Sequence, residues 1–378
     1  MSRLEQISRM GFLRKIIRDY YSRKTLEEPS DLHKREIALE SLEDNSYIRH
    51  LSFPYMQLLY DYIMNVKTPL HLYYSSALYS TPYADKMENK IWEGSELLFD
   101  IDADKYQGCD QKIWICPSSG EISPVEIDKC SRGEKPLEYS SLPWVCIKKA
   151  WNDVLKLVDV LKTEFGYERI RIYYSGNRGF HVKVQDPDVL ALTREMRRAI
   201  ADYVSCEGLK VEKMFPSYKN MVIFGEIEHG IRRRVYQLAS NLGLLEKKKV
   251  KGIRDLEVLD IDKLTDLLGE VCIQIDKAVT MDISRLSRFG NSLNMKAGLK
   301  VMDMSINADI DAYDYERFSP FKGFIKVKSL ITGDINALGM QLSLSKGNIY
   351  RLESFIGIYL VVKNIALPVD VSELEVKV

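Results

Sequence analysis

The sequence carries no net charge: 54 Lys and Arg are matched by 54 Asp and Glu over 378 residues. A protein that holds nucleic acid through an overall excess of positive charge is excluded, and any such surface must come from segregated charge. Cysteine is scarce. Six residues are too few to staple a chain of this length, so the fold must rest on a hydrophobic core rather than a disulfide scaffold. Long apolar runs are missing too. None approaches the roughly 18 residues that span a bilayer, and Phe355 to Val362 suits a buried element. Residues 1–24 mix Arg, Glu and Asp with their apolar positions and contain no continuous apolar stretch of the secretory kind. The expectation is a soluble, intracellular protein with no membrane partner. Internal repeats and low-complexity tracts are also absent.

What is present is ordinary globular material, with 46% hydrophobic and 29% charged residues, in a length that predicts two or three structural units. Helical spacing of apolar residues predicts helices over 3–22, about 54–65, from Ile147 to Phe165, and over 191–204. Strand patterns appear at 96–102, 169–174 and 180–184, the last two joined by turn chemistry. Residues 103–146 are loop-rich. Residues 210–254 carry eleven Lys and Arg against four Glu, a local net of +7, and read as largely helical. The runs Arg232-Arg233-Arg234 and Lys247 to Lys251 fit either a template-tracking surface or a solvated face. The pairs Tyr20-Tyr21 and Tyr173-Tyr174 fit base stacking or, more simply, the core. From 320 to 378 the pattern suggests strands with a helix near 353–364.

Two groups of residues carry chemistry. Asp100 and Asp102 stand two apart where an apolar strand emerges, so both carboxylates point to one face. Carboxylates that close repel unless a cation joins them, and hard oxygen ligands of this kind hold Mg²⁺ or Mn²⁺ together with substrate phosphates. The second group is Ser175-Gly176-Asn177-Arg178-Gly179-Phe180-His181. Its glycines let the backbone turn tightly and offer N–H groups to an anion. Ser175 adds a hydroxyl and Arg178 a planar fork matched to phosphate oxygens. His181 and Lys183 alternate on the following strand and share a face. A third set, Cys109, Cys116, Cys130 and Cys146, has six, thirteen and fifteen residues between its members. That loose spacing allows either tetrahedral zinc or unremarkable reduced thiols.

Phe99-Asp100-Ile101-Asp102, followed about seventy residues later by Tyr174 to His181, then by Thr280-Met281-Asp282-Ile283-Ser284-Arg285-Leu286-Ser287-Arg288 and by Asn291 to Leu299, resembles the catalytic small subunit of archaeal and eukaryotic DNA primase. Lys34-Arg35-Glu36-Ile37 and Tyr47-Ile48-Arg49 are similar to that family's early basic block. The likeness spans about residues 18–300, with a weaker echo at 336–364.

The resemblance implies an α+β fold: a primase-type catalytic core of mixed or antiparallel sheet with helices over residues 1–330, and a small C-terminal strand and helix segment at 331–378. Within the core it implies a zinc knuckle at 103–146 and a basic, helix-rich insertion at 205–260. It implies a metal triad of Asp100, Asp102 and Asp282. The choice of Asp282 over Asp276 rests on the motif alone. Ser175, Arg178, His181, Arg288 and Lys296 would hold the nucleotide, with Arg35 and Arg49 in the same pocket. It implies structural Zn²⁺ on Cys109, Cys116, Cys130 and Cys146, with Asp110 able to replace one thiolate; Cys206 and Cys272, far away in sequence, read as core thiols. Asn294 stands where the family often has His, and Asn hydrogen-bonds without carrying a proton charge. The implied activity is synthesis of short primers on single-stranded DNA from nucleoside triphosphates, by two-metal nucleotidyl transfer. The implied partner is a large subunit with an iron–sulfur domain. A template-directed repair polymerase and a non-catalytic zinc-containing nucleic-acid-binding protein are the alternatives.

Overall fold

The computed structural model describes residues 3–250 and 254–377, so Lys251 of the expected basic run lies outside the described residues. Two four-stranded antiparallel sheets form the centre. In the first, the order is Leu286–Arg288, Pro69–Ser75, Ile37–Ser41, Tyr47–Leu51. In the second it is Met302–Asp303, Ile170–Tyr174, Gly179–Val184, Leu97–Asp102. The acid strand Leu97–Asp102 therefore pairs with the second strand of the glycine hairpin.

The long helix Trp144–Thr163 follows from its own spacing. Ile147, Ala150, Trp151, Val154, Leu157, Val158 and Leu161 form one buried stripe, and Pro143 precedes the first turn, where a missing N–H costs nothing. The stripe lies across the second sheet, with the Trp151 and Phe180 rings 5.3 Å apart. Helix Arg194–Ser205 is capped by Thr193, which accepts from the Met196 N–H. Helix Arg3–Tyr21 buries Tyr20 and Tyr21 completely, and Tyr173 and Tyr174 are buried as well. All four tyrosines are core residues, not stacking platforms.

The insertion is more β than its charge pattern suggests. Residues 206–272 build their own core around Phe215, Val222, Phe224, Val235 and Leu259. Helices Gly230–Asn241 and Leu264–Val271 cover a sheet ordered Ser217–Tyr218, Met221–Ile223, Arg254–Asp260, Glu246–Val250. Lys247 to Lys249, read as helical, lie exposed on an edge strand. The arginine run is spent on internal pairing: Arg232 with Glu228, Arg233 with Asp159 and Glu164, and Arg234 with Glu164. Cys206 and Cys272 are not core thiols. They form a disulfide at the neck of the insertion, their Cα atoms 5.5 Å apart.

The cysteine module also differs from expectation. Cys109 bonds to Cys146 and Cys116 to Cys130, with Cα separations of 5.9 and 5.6 Å. In this pairing no thiolate remains for zinc, because each sulfur has spent its bonding electrons on its partner. Among the described residues Asp110 belongs to no group of three or more His, Cys, Asp or Glu that could hold a metal ion. The module is a small sheet, Ile122–Ser123, Ile113–Ile115, Leu137–Tyr139, docked on the C-terminal region through Tyr139 Oη to Asn336 O.

The segment expected at 331–378 pairs with a strand that precedes it. Strand Phe321–Ser329 pairs with Ile349–Glu353, Ala366–Asp370 and Leu374–Val376. Helix Ser354–Val362, buried almost throughout, lies on it. Gly357 permits the approach, since a Cβ there would sit 2.2 Å from Ile325 Cγ2. Its core is continuous with that of the two central sheets. Among the described residues no helix is long and apolar enough to cross a membrane.

Candidate active site

Strand register sets the site. Gly179 faces Asp102, and His181 faces Asp100. Residues directly opposite in a sheet share a face, so the hairpin presents His181 beside one acid and bare backbone beside the other. Glycine is required there: a Cβ on Gly179 would lie 2.2 Å from the Ile101 carbonyl oxygen. Gly176 is required for a second reason. Its φ is +73°, and a Cβ would come within 2.9 Å of Asn294 Cβ.

A cavity of about 260 Å³ opens over this face. Asp100 and Asp102 line it from the acid strand, Ser175, Arg178 and His181 from the hairpin, and Arg288 and Lys296 from the block after residue 280. Seven of the expected site residues thus converge from three distant parts of the chain. Tyr73, Asn177 and Arg285, to which sequence reasoning assigns no role, line it as well. Asn294 ties two of the blocks together: its Nδ2 donates to Ser175 O at 2.9 Å and its Oδ1 accepts the Lys296 N–H at 3.2 Å.

The electrostatics are those of a site short of cations at one end and rich in them at the other. Burial, then repulsion from Asp102 and Asp276, pushes the Asp100 carboxyl up to about 7. Burial and Asp104 raise Asp102. Both acids would be relieved by a bound cation. Arg178 pairs with Asp104 at 2.6 Å, which fixes the fork beside the acids, where its charge acts on Asp102. Arg288 donates to His71 Nδ1 at 3.1 Å and lies over the Tyr73 ring. Burial, with Arg288 and Lys296, pulls His71 down to about 2, so its ring is neutral and Nδ1 is free to accept. Burial, with Lys183, Arg288 and Arg285, pulls His181 down to about 3. His181 therefore meets a ligand as a neutral ring, 3.7 Å from Asp100 Oδ1.

Not every expected residue arrives. Asp276, not Asp282, is the third acid beside the pair. Its N–H donates to the Asp100 carbonyl at 2.9 Å, and its charge acts on both Asp100 and Asp102. Asp276 caps the short helix Lys277–Met281, and Asp282 stands at the other end, about 9 Å further along the axis. There Asp282 accepts from the Ser284 N–H and hydroxyl and faces Tyr79 and Arg197. Arg35 is also elsewhere. It is 1% exposed, paired with Glu96 at 2.7 Å and bonded to the Ser30 and Ser75 carbonyls. Arg49 pairs with Glu36 at 2.8 Å outside the cavity lining. Lys183 shares the face of His181 but is buried on Tyr74, donating to its hydroxyl at 2.6 Å. Among the described residues no group of three or more His, Cys, Asp or Glu is already gathered as a metal site. The acids present two carboxylates to the cavity, which suits Mg²⁺, an ion usually held by one or two carboxylates plus substrate phosphates.

The sequence profile described as DNA primase small subunit matches residues 144–304. The DNA primase small subunit PriS of Staphylothermus marinus is 45% identical over 388 residues, covering 100% of both chains. That of Saccharolobus islandicus is 36% identical over 94% of each. A solved polymerase domain from Mycobacterium tuberculosis Ligase D in complex with DNA aligns with a TM-score of 0.39 and 11% identity over 81% of this chain and 86% of that one, too loose a likeness to bear on function.

Proposed function

The chain belongs to the DNA primase small subunit family, and from that membership we propose that its cavity joins nucleoside triphosphates into a primer on single-stranded DNA. The protein is a DNA-directed nucleotidyltransferase, the catalytic small subunit of a primase, and small subunits of this kind work with a larger one. We further propose that this partner carries the iron–sulfur domain.

The observation that supports the assignment of residues is the convergence of two carboxylates and four cations from three chain segments on one cavity. Asp100 and Asp102 would hold Mg²⁺ or Mn²⁺, with Asp276 adding negative charge behind them. The ions, when bound, supply positive charge at the α-phosphate and at the attacking 3′-hydroxyl. Arg178, Arg288 and Lys296 neutralise the triphosphate, and Arg285 extends that field toward Asp100. Ser175 and the neutral His181 offer hydrogen bonds, and the glycine turn lets the phosphates approach the backbone. Fixing the triphosphate against the acids orients its α-phosphate for in-line attack. Template sequence is read by base pairing, so binding to DNA should weaken steeply with salt and vary little with sequence.

Zinc belongs, on this reading, to the reduced chain, in which Cys109, Cys116, Cys130 and Cys146 are thiols gathered in one module. Metal analysis of reduced against oxidised protein tests it. Primer synthesis on single-stranded DNA without a supplied primer tests the main proposal. Wild type should make new oligonucleotides with Mg²⁺ or Mn²⁺, and Asp100→Asn/Asp102→Asn should make none while still binding nucleotide. Unimpaired synthesis by the double variant would overturn the assignment.

A further inference from the structure

The nucleotide cavity does not end at Arg178 and Lys296. Both residues, with Asn177, also line a second cavity of about 180 Å³ whose lining includes neither Asp100 nor Asp102. Its far wall comes from the C-terminal region, through Tyr359 and Lys363. Lys363 caps the end of helix Ser354–Val362, its N–H donating to Tyr359 O at 2.9 Å, and its ammonium lies 5.3 Å from the Tyr359 ring centroid. Tyr359 is itself fixed, its hydroxyl donating to Ser140 O at 3.0 Å. The lysine is thus held in place on a rigid element.

Three cations border this annex, and among the described residues neither Lys296 nor Lys363 has a carboxylate within ion-pair distance. The one carboxylate on the rim, Glu138, pairs with Lys112 at 2.9 Å. Burial, with Arg178 and Lys296, pulls Lys363 down to about 8, and the same crowding lowers Lys296. Arg178 has its counter-ion in Asp104, but Lys296 and Lys363, crowded beside it without one, would be stabilised by an anion that bridges them.

We propose that Lys363 is a further binding residue for the reaction, completing an annex that takes the terminal phosphates of the incoming nucleotide and then the pyrophosphate it releases. This rests on the catalytic reading above. The 3′-oxygen bonds to the α-phosphorus as the α–β phosphoanhydride bond breaks. Pyrophosphate departs with the bridging oxygen and its electron pair, and the hydroxyl proton passes to solvent. The leaving group then lies on the Arg178–Lys296–Lys363 side, where the annex shares Asn177, Arg178 and Lys296 with the cavity over the acids.

The test compares wild type, Lys363→Met and Lys363→Arg as full chains in extension of a supplied primer, with thermal melting to verify folding. Loss of one charge-assisted contact should raise both the nucleotide KM and the pyrophosphate inhibition constant about tenfold. The affinity for a nucleoside monophosphate should stay unchanged, and Lys363→Arg should restore most of the loss. A non-hydrolysable triphosphate and inorganic pyrophosphate, titrated separately, distinguish the bound nucleotide from the released product as the ligand. Unchanged affinities for both overturn the proposal. So does a tenfold loss of single-stranded DNA affinity with pyrophosphate binding intact, which would assign the annex to template backbone. If wild type itself incorporates no nucleotide, the catalytic reading fails instead.

Discussion

Arg35 offers the sharpest test of how the structure departs from the sequence pattern. Its guanidinium is sealed from solvent, 2.7 Å from Glu96, with further bonds to the Ser30, Ser75 and Ser76 carbonyls and the Ser30 hydroxyl. Glu96 is equally buried; one of its oxygens accepts from Gln185 and the other has no partner. Arg35→Met would leave that carboxylate uncompensated and several carbonyls without donors. Breaking a buried pair from one side costs about 3–5 kcal/mol. With an unfolding entropy near 2.1 cal/mol/K per residue, the melting temperature should fall by about 5 °C. The double variant Arg35→Met/Glu96→Met should recover most of the loss, because removing both partners also removes the stranded charge. Melting curves of the four proteins close the cycle, and nucleotide KM is measured well below every midpoint. It should not change, since Arg35 lines neither the cavity over the acids nor the annex. A tenfold rise in KM with stability within about 1 kcal/mol of wild type would refute the reasoning and return Arg35 to the nucleotide.

The two acids at the ends of helix Lys277–Met281 should separate cleanly: Asp276→Asn should reduce metal-dependent incorporation by about 10–100-fold, and Asp282→Asn should change it less than threefold in the same assay. Lys183 has its ammonium pulled down from 10.5 to about 8 by burial among Tyr74, Tyr173 and Arg35. The folded state therefore sheds this proton first, and stability attributable to Lys183 is lowest below pH 8 and recovers as pH rises toward the unfolded value. Urea titrations of Lys183→Met against wild type should show a difference at pH 7 that shifts by about 2–3 kcal/mol by pH 10; a difference independent of pH would exclude the buried charge. The Cys206–Cys272 bond closes a loop of 66 residues in sequence separation, and Cys206→Ala should destabilise the insertion by about 4 kcal/mol, read from hydrogen exchange over 206–272.

Local chemistry made much of the site legible. The Asp100–Asp102 alternation, the glycine hairpin and the helix Trp144–Thr163 each depend on neighbours a few residues apart, and each forms where its pattern predicts. The misplaced residues share a different property. Asp276 and Asp282 look alike in sequence, and only the hydrogen bond from the Asp276 N–H to Asp100 O decides which joins the acids. Arg35 sits in a basic block that reads as a phosphate site until Glu96, 61 residues away, is seen to occupy it. The four strands of the insertion escape notice because Glu246–Val250 is an exposed edge whose lysines carry no period-two apolar signal.

The sequence alone placed the paired carboxylates and the glycine-rich turn, because these are short-range patterns that the fold inherits, and their likeness, with two further blocks, to the DNA primase small subunit pointed to the reaction class. Tertiary structure decided which charges meet. Ion pairing, disulfide partners and the reach of Lys363 toward Arg178 depend on contacts between segments tens to hundreds of residues apart. Electrostatic energy falls with distance in space, and distance along the chain does not report it.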